Sequence, residues 1–473
     1  MKNSNFLLIL FFIFSNGVYS QLLDKEINHQ NILLANTNDA VHPCITPQEY
    51  MLLNQECAMN RQGLGLNSNL HREILTTPLA WPLRAATGFT DCDFYFIGAY
   101  VDQNIAATSV MDYNCETNTY DGHHGTDIAI WPYGFYKMDN SQVEVVAAAA
   151  GTIIQRADGN FDRNCSANTL TANSIILQHA DGSCTLYWHM KKNSVTSKVV
   201  GQTVAAGEYL GVVGSSGSAS GPHLHFEVWS GTTNTTYQDP FAGTCNTLNA
   251  NSWWISQKPH TNPAVLKVST NSTDLVMPGC PTTETPNESN SFTIPFQGPG
   301  LPAGYAKFYI FLREATVGTN VDLKILNPNG TTFNSWTYAV TTFNKVSYWG
   351  WSKVLPTISG VYKFQATYNG ITCVQNFTIV NPLGIANNAS TTAVEIYPNP
   401  TSSVVNLIGD TVENGKYTYT LSTVSGQIVK RESFNIQNND IQKSISIEEF
   451  PSAIYFLTLT GTNTKTIKKI IKQ

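Results

Sequence analysis

Five side chains in three short runs have the types and spacing for metal-assisted hydrolysis. The run DGHHGTDIAIW at 121–131 carries His123 and Asp127, CTLYWHM at 184–190 carries His189, and SGPHLHFEVW at 220–229 carries His223 and His225. Six of the ten histidines in the chain fall between positions 123 and 225. Two neutral imidazoles and a carboxylate, with a fourth position left for water, make the ligand set of a catalytic zinc site. Zinc polarises a scissile carbonyl and lowers the pKa of its water toward about 7. A nearby histidine titrates in the range needed to take that proton and return it to a leaving amine, and another can hold the oxyanion. No His-Glu-x-x-His occurs, so the ligands must come from strands and loops rather than from the helix of the commonest zinc proteases.

The elements around these residues read as strands. Gly125 followed by Thr126, Ile128 and Ile130 favours a strand over a helix, and side chains alternate along a strand, so His123 can share a face with Asp127 and His223 with His225. Two such strands side by side gather imidazoles and a carboxylate at one point. From LAWPL at 79–83 onward, short apolar runs separated by Gly-containing turns predict an antiparallel sheet. The run GVVGSSGSASG at 211–221 lacks the Gly-Lys-Ser/Thr ending of a phosphate loop and leads into a strand, which excludes phosphate binding.

Composition bounds the class. The chain has 473 residues, enough for about three domains. Only 13% are charged and the net charge is -6, which gives no reason to expect nucleic acid as partner. Lys2, the apolar run 6–14 and the small residues ending at Ser20 read as a secretory signal peptide, residues 1–20. No later segment has the length of a membrane span. Nine cysteines without a Cys-x-x-Cys suit disulfides in an oxidising compartment, and proximity suggests Cys92 with Cys115, Cys165 with Cys184, and Cys280 with Cys373. The odd count leaves at least one thiol over.

Residues 21–77 show no clear period and carry Cys44 and Cys57; they read as a small prosegment, which would restrain the rest of the chain, or as a poorly ordered arm. The region that carries the three histidine motifs, 78–232, is followed by a connecting segment, 233–262, and a β-sandwich of immunoglobulin-like type at 263–380. In the latter, GVYKFQATYNG puts Tyr362, Phe364 and Ala366 on one face and Val361, Lys363, Gln365 and Thr367 on the other. No catalytic cluster occurs in the sandwich, which reads as a spacer, with a carbohydrate- or protein-binding role as the alternative. A polar linker at 381–394 leads to a β-rich tail, 395–473.

Two family resemblances sharpen this reading. The order H-x-x-x-D, Y-x-H, a Gly/Ser loop and H-L-H-F-E-V resembles the lysostaphin-type zinc endopeptidases, which include the β-lytic enzymes, over residues 78–232. The resemblance implies one Zn2+ per chain on His123, Asp127 and His225, with His189 and His223 acting on the water and the oxyanion. It implies that the Gly/Ser loop walls a substrate groove. The segments 131–142 and 161–173 are longer than the family's turns, and Trp131, Tyr133, Phe135 and Tyr136 stand as rim aromatics for substrate or for loop packing. The tail, with YPNP near its start, Ile454-Tyr455 near its end and four closing lysines, resembles the C-terminal sorting domain of the type IX secretion system, with Ala453 where that pattern usually has Gly. The expectation is a mainly β protein: an antiparallel-sheet lysostaphin-like peptidase domain, an immunoglobulin-like sandwich and a small β-sandwich sorting domain. It is exported through the periplasm to be secreted or held at the cell surface, with the type IX machinery as partner and peptidoglycan as substrate. Alternative readings are an extracellular proteinase acting on Gly-rich proteins, or a non-catalytic wall-binding module. His124 is expected to be solvated or just behind the ligands, His179 to be structural, and His29, His42, His71 and His260 to lie apart.

Overall fold

A computed structural model describes residues 44–66, 77–104, 106, 109–280, 285–381, 394–410, 413–461 and 465–473, and the backbone of 27–29. The signal peptide reading, His42 and His71 lie outside these residues. Among the described residues no helix is long and apolar enough to cross a membrane. The chain is mainly β and divides into two compact units, residues 1–356 with 360–378, and 357–359 with 379–473.

The first unit is organised by an antiparallel sheet. Its strands run in the order Tyr95–Ala99, Thr126–Ile130, His223–Trp229, Cys184–Trp188, Ser174–Gln178, Gly151–Ala157 and Thr203–Val204, with Tyr237–Gln238 beside the end of His223–Trp229. The central strand His223–Trp229 is buried along its whole length. Alternation explains how two histidines fit there. Leu224, Phe226 and Val228 point into the main core with Ile128, Ile175, Leu177 and Tyr187, while His223, His225, Glu227 and Trp229 take the other face. A three-stranded sheet, Tyr209–Val212, Val143–Val146 and Leu83–Ala85, packs its Leu210, Val143, Val145 and Leu83 into the same core. Phe241, Trp253 and Trp254 of the connecting segment join it as well.

Residues 47–64, where no period was expected, form a helix, Pro47–Leu64. Only Leu53, Cys57 and Arg61 are buried, a stripe too narrow to register as amphipathic periodicity. The legible signals were its ends. Thr46 and Glu49 form a capping box, Pro47 opens the first turn, and Gly65 closes the helix in the left-handed region at φ 66°. The buried stripe meets Ile154, Ile176, Leu186, Trp188 and Trp229 on the sheet face that also carries His225.

The sandwich in the same unit pairs residues 27–29, Val346–Val354, Tyr305–Arg313 and Ala264–Asn271 in one sheet and Ser291–Thr293, Ile371–Val380, Gly360–Tyr368, Asn320–Leu326 and Thr332–Ala339 in the other. Along Gly360–Tyr368, Tyr362, Phe364 and Ala366 are buried and Val361 and Lys363 exposed, the alternation read from the sequence. The disulfides differ from expectation: Cys92 bonds Cys373, Cys115 bonds Cys245 and Cys165 bonds Cys280. Proximity within one region misled because the sandwich lies against the peptidase region. Cys92 N donates to Leu266 O, which brings Cys92 within a Cα distance of 5.7 Å of Cys373. Cys184 instead lies on a buried strand, its thiol pushed up to about 12 by burial. Trp131 and Tyr133 are likewise not rim residues. They are buried with Phe311, Tyr309, Leu266 and Tyr348 in one apolar cluster, with Tyr136 packed against it; Phe135 is buried too, under the Arg163 guanidinium.

The second unit is a small sandwich of a three-stranded sheet, Val394–Tyr397, Val404–Asp410 and Asp440–Ser446, and a four-stranded one, Ile428–Ile436, Gly415–Thr423, Ile454–Thr460 and Lys465–Ile471. Tyr455, Leu457 and Leu459 alternate into a core with Tyr417, Tyr419, Leu421, Leu407 and Ile445. The lysine-rich Lys465–Ile471 forms a sheet edge, where charge discourages further strand pairing.

Candidate metal centre

The antiparallel register sets His225 directly opposite Asp127 and His223 opposite Ala129. His123 does not lie on the Thr126–Ile130 strand, as alternation predicted, but in the turn before it. There its N–H donates to Tyr120 O and its carbonyl accepts from Asp102 N, while Gly122 at φ 70° donates to Asp102 Oδ2. His189 follows the Cys184–Trp188 strand with φ 70°, a conformation unusual for a residue with a Cβ, and so leaves the strand's alternation. All four histidines are buried, and Asp127 is largely enclosed.

Hydrogen bonds orient the rings. His123 Nδ1 is 2.6 Å from Tyr100 O, His189 Nδ1 is 2.6 Å from Ser216 O, and His223 Nδ1 is 2.8 Å from Gly221 O. His225 Nε2 is 2.8 Å from Glu227 Oε1. Carbonyls only accept, so Nδ1 of His123, His189 and His223 carries the ring proton and Nε2 of each neutral ring is a lone pair. His225 faces a carboxylate at both nitrogens and presents an Nδ1 lone pair in the tautomer whose Nε2–H is donated to Glu227. Three electron-rich atoms then face one another: His123 Nε2 to Asp127 Oδ1 is 3.3 Å, His225 Nδ1 to Asp127 Oδ1 is 2.9 Å, and His123 Nε2 to His225 Nδ1 is 3.1 Å. Tetrahedral ligands at zinc-like bond lengths stand about 3.3 Å apart. The donor set fits a small cation. His189 Nε2 is fully buried with no hydrogen-bond partner, and its ring lies 4.4 Å from that of His223. Burial and the neighbouring His223 hold His189 below the ordinary imidazole range. Burial also opposes charge on His223, but Asp127 outweighs it and raises that imidazole. Burial would raise Asp127 as well, yet the surrounding histidines keep it well below the usual carboxylate range.

Residues 122–240 match the model of Peptidase family M23, and residues 395–473 match that of the secretion system C-terminal sorting domain. Residues 122–240 are a peptidase family M23 domain. Among curated proteins, the chain is similar to the DD-carboxypeptidase/endopeptidase Mpg of Neisseria meningitidis serogroup B, 46% identical over 55 residues, 12% of this chain and 12% of that protein. It is also similar to the peptidoglycan DD-endopeptidase ShyC of Vibrio cholerae serotype O1, 31% identical over 80 residues, 17% of this chain and 18% of that protein. The chain thus spans less than a fifth of the length of either. Among solved structures, the catalytic domain of the antimicrobial peptidase lysostaphin from Staphylococcus simulans is 26% identical, with 30% of this chain and 85% of that one covered and a TM-score of 0.20.

Several residues that shape the M23 centre carried no role in the sequence reading. Glu227, two positions beyond His225 on the same strand face, was legible by alternation alone. Its Oε1 accepts from His225 Nε2 and its Oε2 accepts from Trp229 Nε1 at 2.7 Å. Burial would raise its pKa, but the His225 contact holds the carboxyl ionised below its usual range. Such outer partners fix ligand tautomer and orientation. A Glu227→Gln chain should lose about 10–100-fold in zinc affinity, read by competition with a chelating dye. Gly125 is a second such position. A Cβ there would meet His225 Cε1 at 2.7 Å, His225 Nε2 at 2.8 Å and Phe226 O at 2.9 Å. Gly125→Ala should therefore displace the His225 ring and lower kcat/KM by about 10²-fold, with circular dichroism checking that the fold persists.

Other histidines separate clearly. His124 stands half-buried just behind the ligands, its ring stacked on Tyr237 at 4.0 Å, and burial lowers its pKa. His179 is structural as expected, bonded to Ala150 O and Thr185 Oγ1. His260 stacks on Tyr100 and bonds Asp112 Oδ2 at 2.8 Å. The Gly/Ser loop is pressed against its own chain, since a Cβ at Gly214 would meet Lys191 N at 2.4 Å and one at Gly217 would meet Ala172 Cβ at 2.8 Å. Its Ser216 carbonyl is what orients His189. The residue sequence reading missed altogether is Cys44. Its Sγ is 2.9 Å from Tyr120 Oη and shares the cluster formed by His123, Asp127 and His225, and also that of His189 and His223, with ligand atoms within 4.8 Å of one another in each.

Proposed function

We propose that the protein is an exported zinc endopeptidase that hydrolyses peptide bonds in peptidoglycan cross-link or stem peptides, carried out of the cell by the type IX route through its C-terminal domain. The observation that carries the reading is the convergence of two imidazole lone pairs and one carboxylate at 2.9–3.3 Å, with the ring protons bonded away from the centre. His123, Asp127 and His225 would hold the ion. Bound there, zinc would supply Lewis acidity and water activation at neutral pH. His189 and His223 each keep an inward-facing Nε2 free of the ligand set. One accepts the proton of the attacking water and passes it to the leaving amine; the other, protonated, donates to the carbonyl oxygen as negative charge develops on it. Peptidoglycan as substrate is supported by the name of the similar peptidoglycan DD-endopeptidase ShyC from Vibrio cholerae.

The test uses the zinc-loaded chain and, because a thiol lies among the site atoms, a Cys44→Ala chain beside it. Each is incubated with isolated cell walls, elastin and casein, and new amino termini are identified by mass spectrometry. Termini within wall peptides, absent when His223 is replaced with Ala, support the proposal. Termini only in elastin or casein would make the protein a matrix proteinase, and no cleavage by the Cys44→Ala chain would leave a wall-binding module.

A further inference from the structure

Cys44 differs from the other thiols outside disulfides among the described residues. Cys57 and Cys184 are fully buried in the apolar interface between the Pro47–Leu64 helix and the sheet. Cys44 instead faces the M23 centre, with Tyr120 Oη at 2.9 Å and the ligand atoms of His123, Asp127 and His225 grouped about it. The fully buried Nε2 of His189, without a hydrogen-bond partner among the described residues, stands in a second cluster with Cys44 and His223. The Cys44 sulfur and the His189 Nε2 lone pair therefore both look onto the position that a catalytic site leaves open.

The delivery of Cys44 is built rather than incidental. Ile45 and Thr46 follow it, Ile45 buried in the helix–sheet cluster and Thr46 capping the helix. Along the helix, Tyr50 Oη donates to Glu227 Oε1 at 2.5 Å, the carboxylate that also orients His225. Asn54 Nδ2 donates to Asn234 Oδ1 at 2.7 Å, Asn60 Nδ2 to Ile154 O at 2.9 Å, and Arg61 to Thr232 O at 2.9 Å. One end of the element is thus bonded to the same acid that holds a ligand histidine.

We propose that Cys44 is a fourth ligand of the ion held by His123, Asp127 and His225, locked in place by the Pro47–Leu64 helix, so that the chain is latent until this segment is withdrawn. The proposal rests on the zinc reading above. Thiolate is a preferred zinc ligand, and four protein ligands close a tetrahedral site that catalysis requires open. On binding, the thiol gives its proton to solvent and the sulfur takes the place of the reacting water. Delivery from the same chain gives the thiol an effective concentration that a soluble substrate does not match.

The experiment replaces zinc with cobalt(II) in the full chain and in its Cys44→Ala and Cys44→Ser variants, recording absorption spectra and, for the zinc forms, cell-wall hydrolysis. The unaltered chain should show a near-ultraviolet thiolate-to-cobalt charge-transfer band that both variants lack, while the visible cobalt bands persist in all three. Both variants should hydrolyse walls about 10²-fold faster than the unaltered chain. Visible cobalt bands without the charge-transfer band in the unaltered chain, or equal rates in all three, would overturn the role of Cys44 and leave the zinc reading intact. Failure of all three chains to bind cobalt would overturn the zinc reading itself, and this proposal with it.

Discussion

Replacing His225 with alanine should remove metal and hydrolytic activity together. His225 supplies the inward Nδ1 that stands 2.9 Å from Asp127 Oδ1 and 3.1 Å from His123 Nε2, so in a Cys44→Ala background, where the thiol cannot substitute, its loss leaves two ligand atoms where tetrahedral binding needs at least three from the protein. It also strips Glu227 of its buried imidazole partner, so the carboxylate keeps only Tyr50 and Trp229. Zinc content in that background, measured by plasma mass spectrometry, should fall from one per chain to near zero. Wall hydrolysis, followed in the Cys44→Ala background, should drop toward the uncatalysed rate, about 10⁶-fold or more. A His225→Ala protein that retained stoichiometric zinc and full activity would remove the basis for the proposed centre. The M23 domain assignment would then stand without a working site.

The second large effect separates proton transfer from metal binding. In the same background, His189→Ala and His223→Ala should each keep one zinc per chain yet lose about 10²–10⁴-fold in kcat. Neither ring is needed to complete the ligand triangle: His223 Nε2 stands 3.7 Å from Asp127 Oδ1, outside the 2.9–3.3 Å set, and His189 Nε2 has no hydrogen-bond partner among the described residues. Loss of zinc in either variant would move that histidine from proton transfer to metal binding. Unchanged kcat with zinc present would leave it as packing. The two sit 4.4 Å apart, so the double variant should cost far less than the product of the single losses if they act as a unit.

Much of this protein follows from its sequence alone, because the features concerned are local. Period-two alternation along His223–Trp229 puts His223, His225 and Glu227 on one face without reference to the rest of the chain. The same rule places Tyr362 and Phe364 inside the sandwich and Tyr455 and Leu457 inside the C-terminal unit. Spaced motifs marked the M23 region and the tail, since their chemistry demands particular residue types at short intervals. Even the Pro47–Leu64 helix was announced by its caps, though its three-residue buried stripe hid it from a periodicity search.

Tertiary structure decided what depends on residues distant in sequence. No local rule brings Cys44 to Tyr120, 76 positions away, or pairs Cys92 with Cys373 across 281 positions. Sequence spacing is blind to such contacts, which arise only when the sandwich and the helix settle on the peptidase sheet. Trp131 and Tyr133 illustrate the same limit: their residue types suit a substrate rim, and only the arrival of Phe311 and Tyr309 makes them core. Alternation likewise could not place His123 or His189, because a turn and a left-handed backbone take both off their strands. Residue identity thus determined which atoms can bind a cation and move a proton. The fold determined that they meet, which nitrogen of each ring faces inward, and that a thiol from the N-terminal segment stands among them.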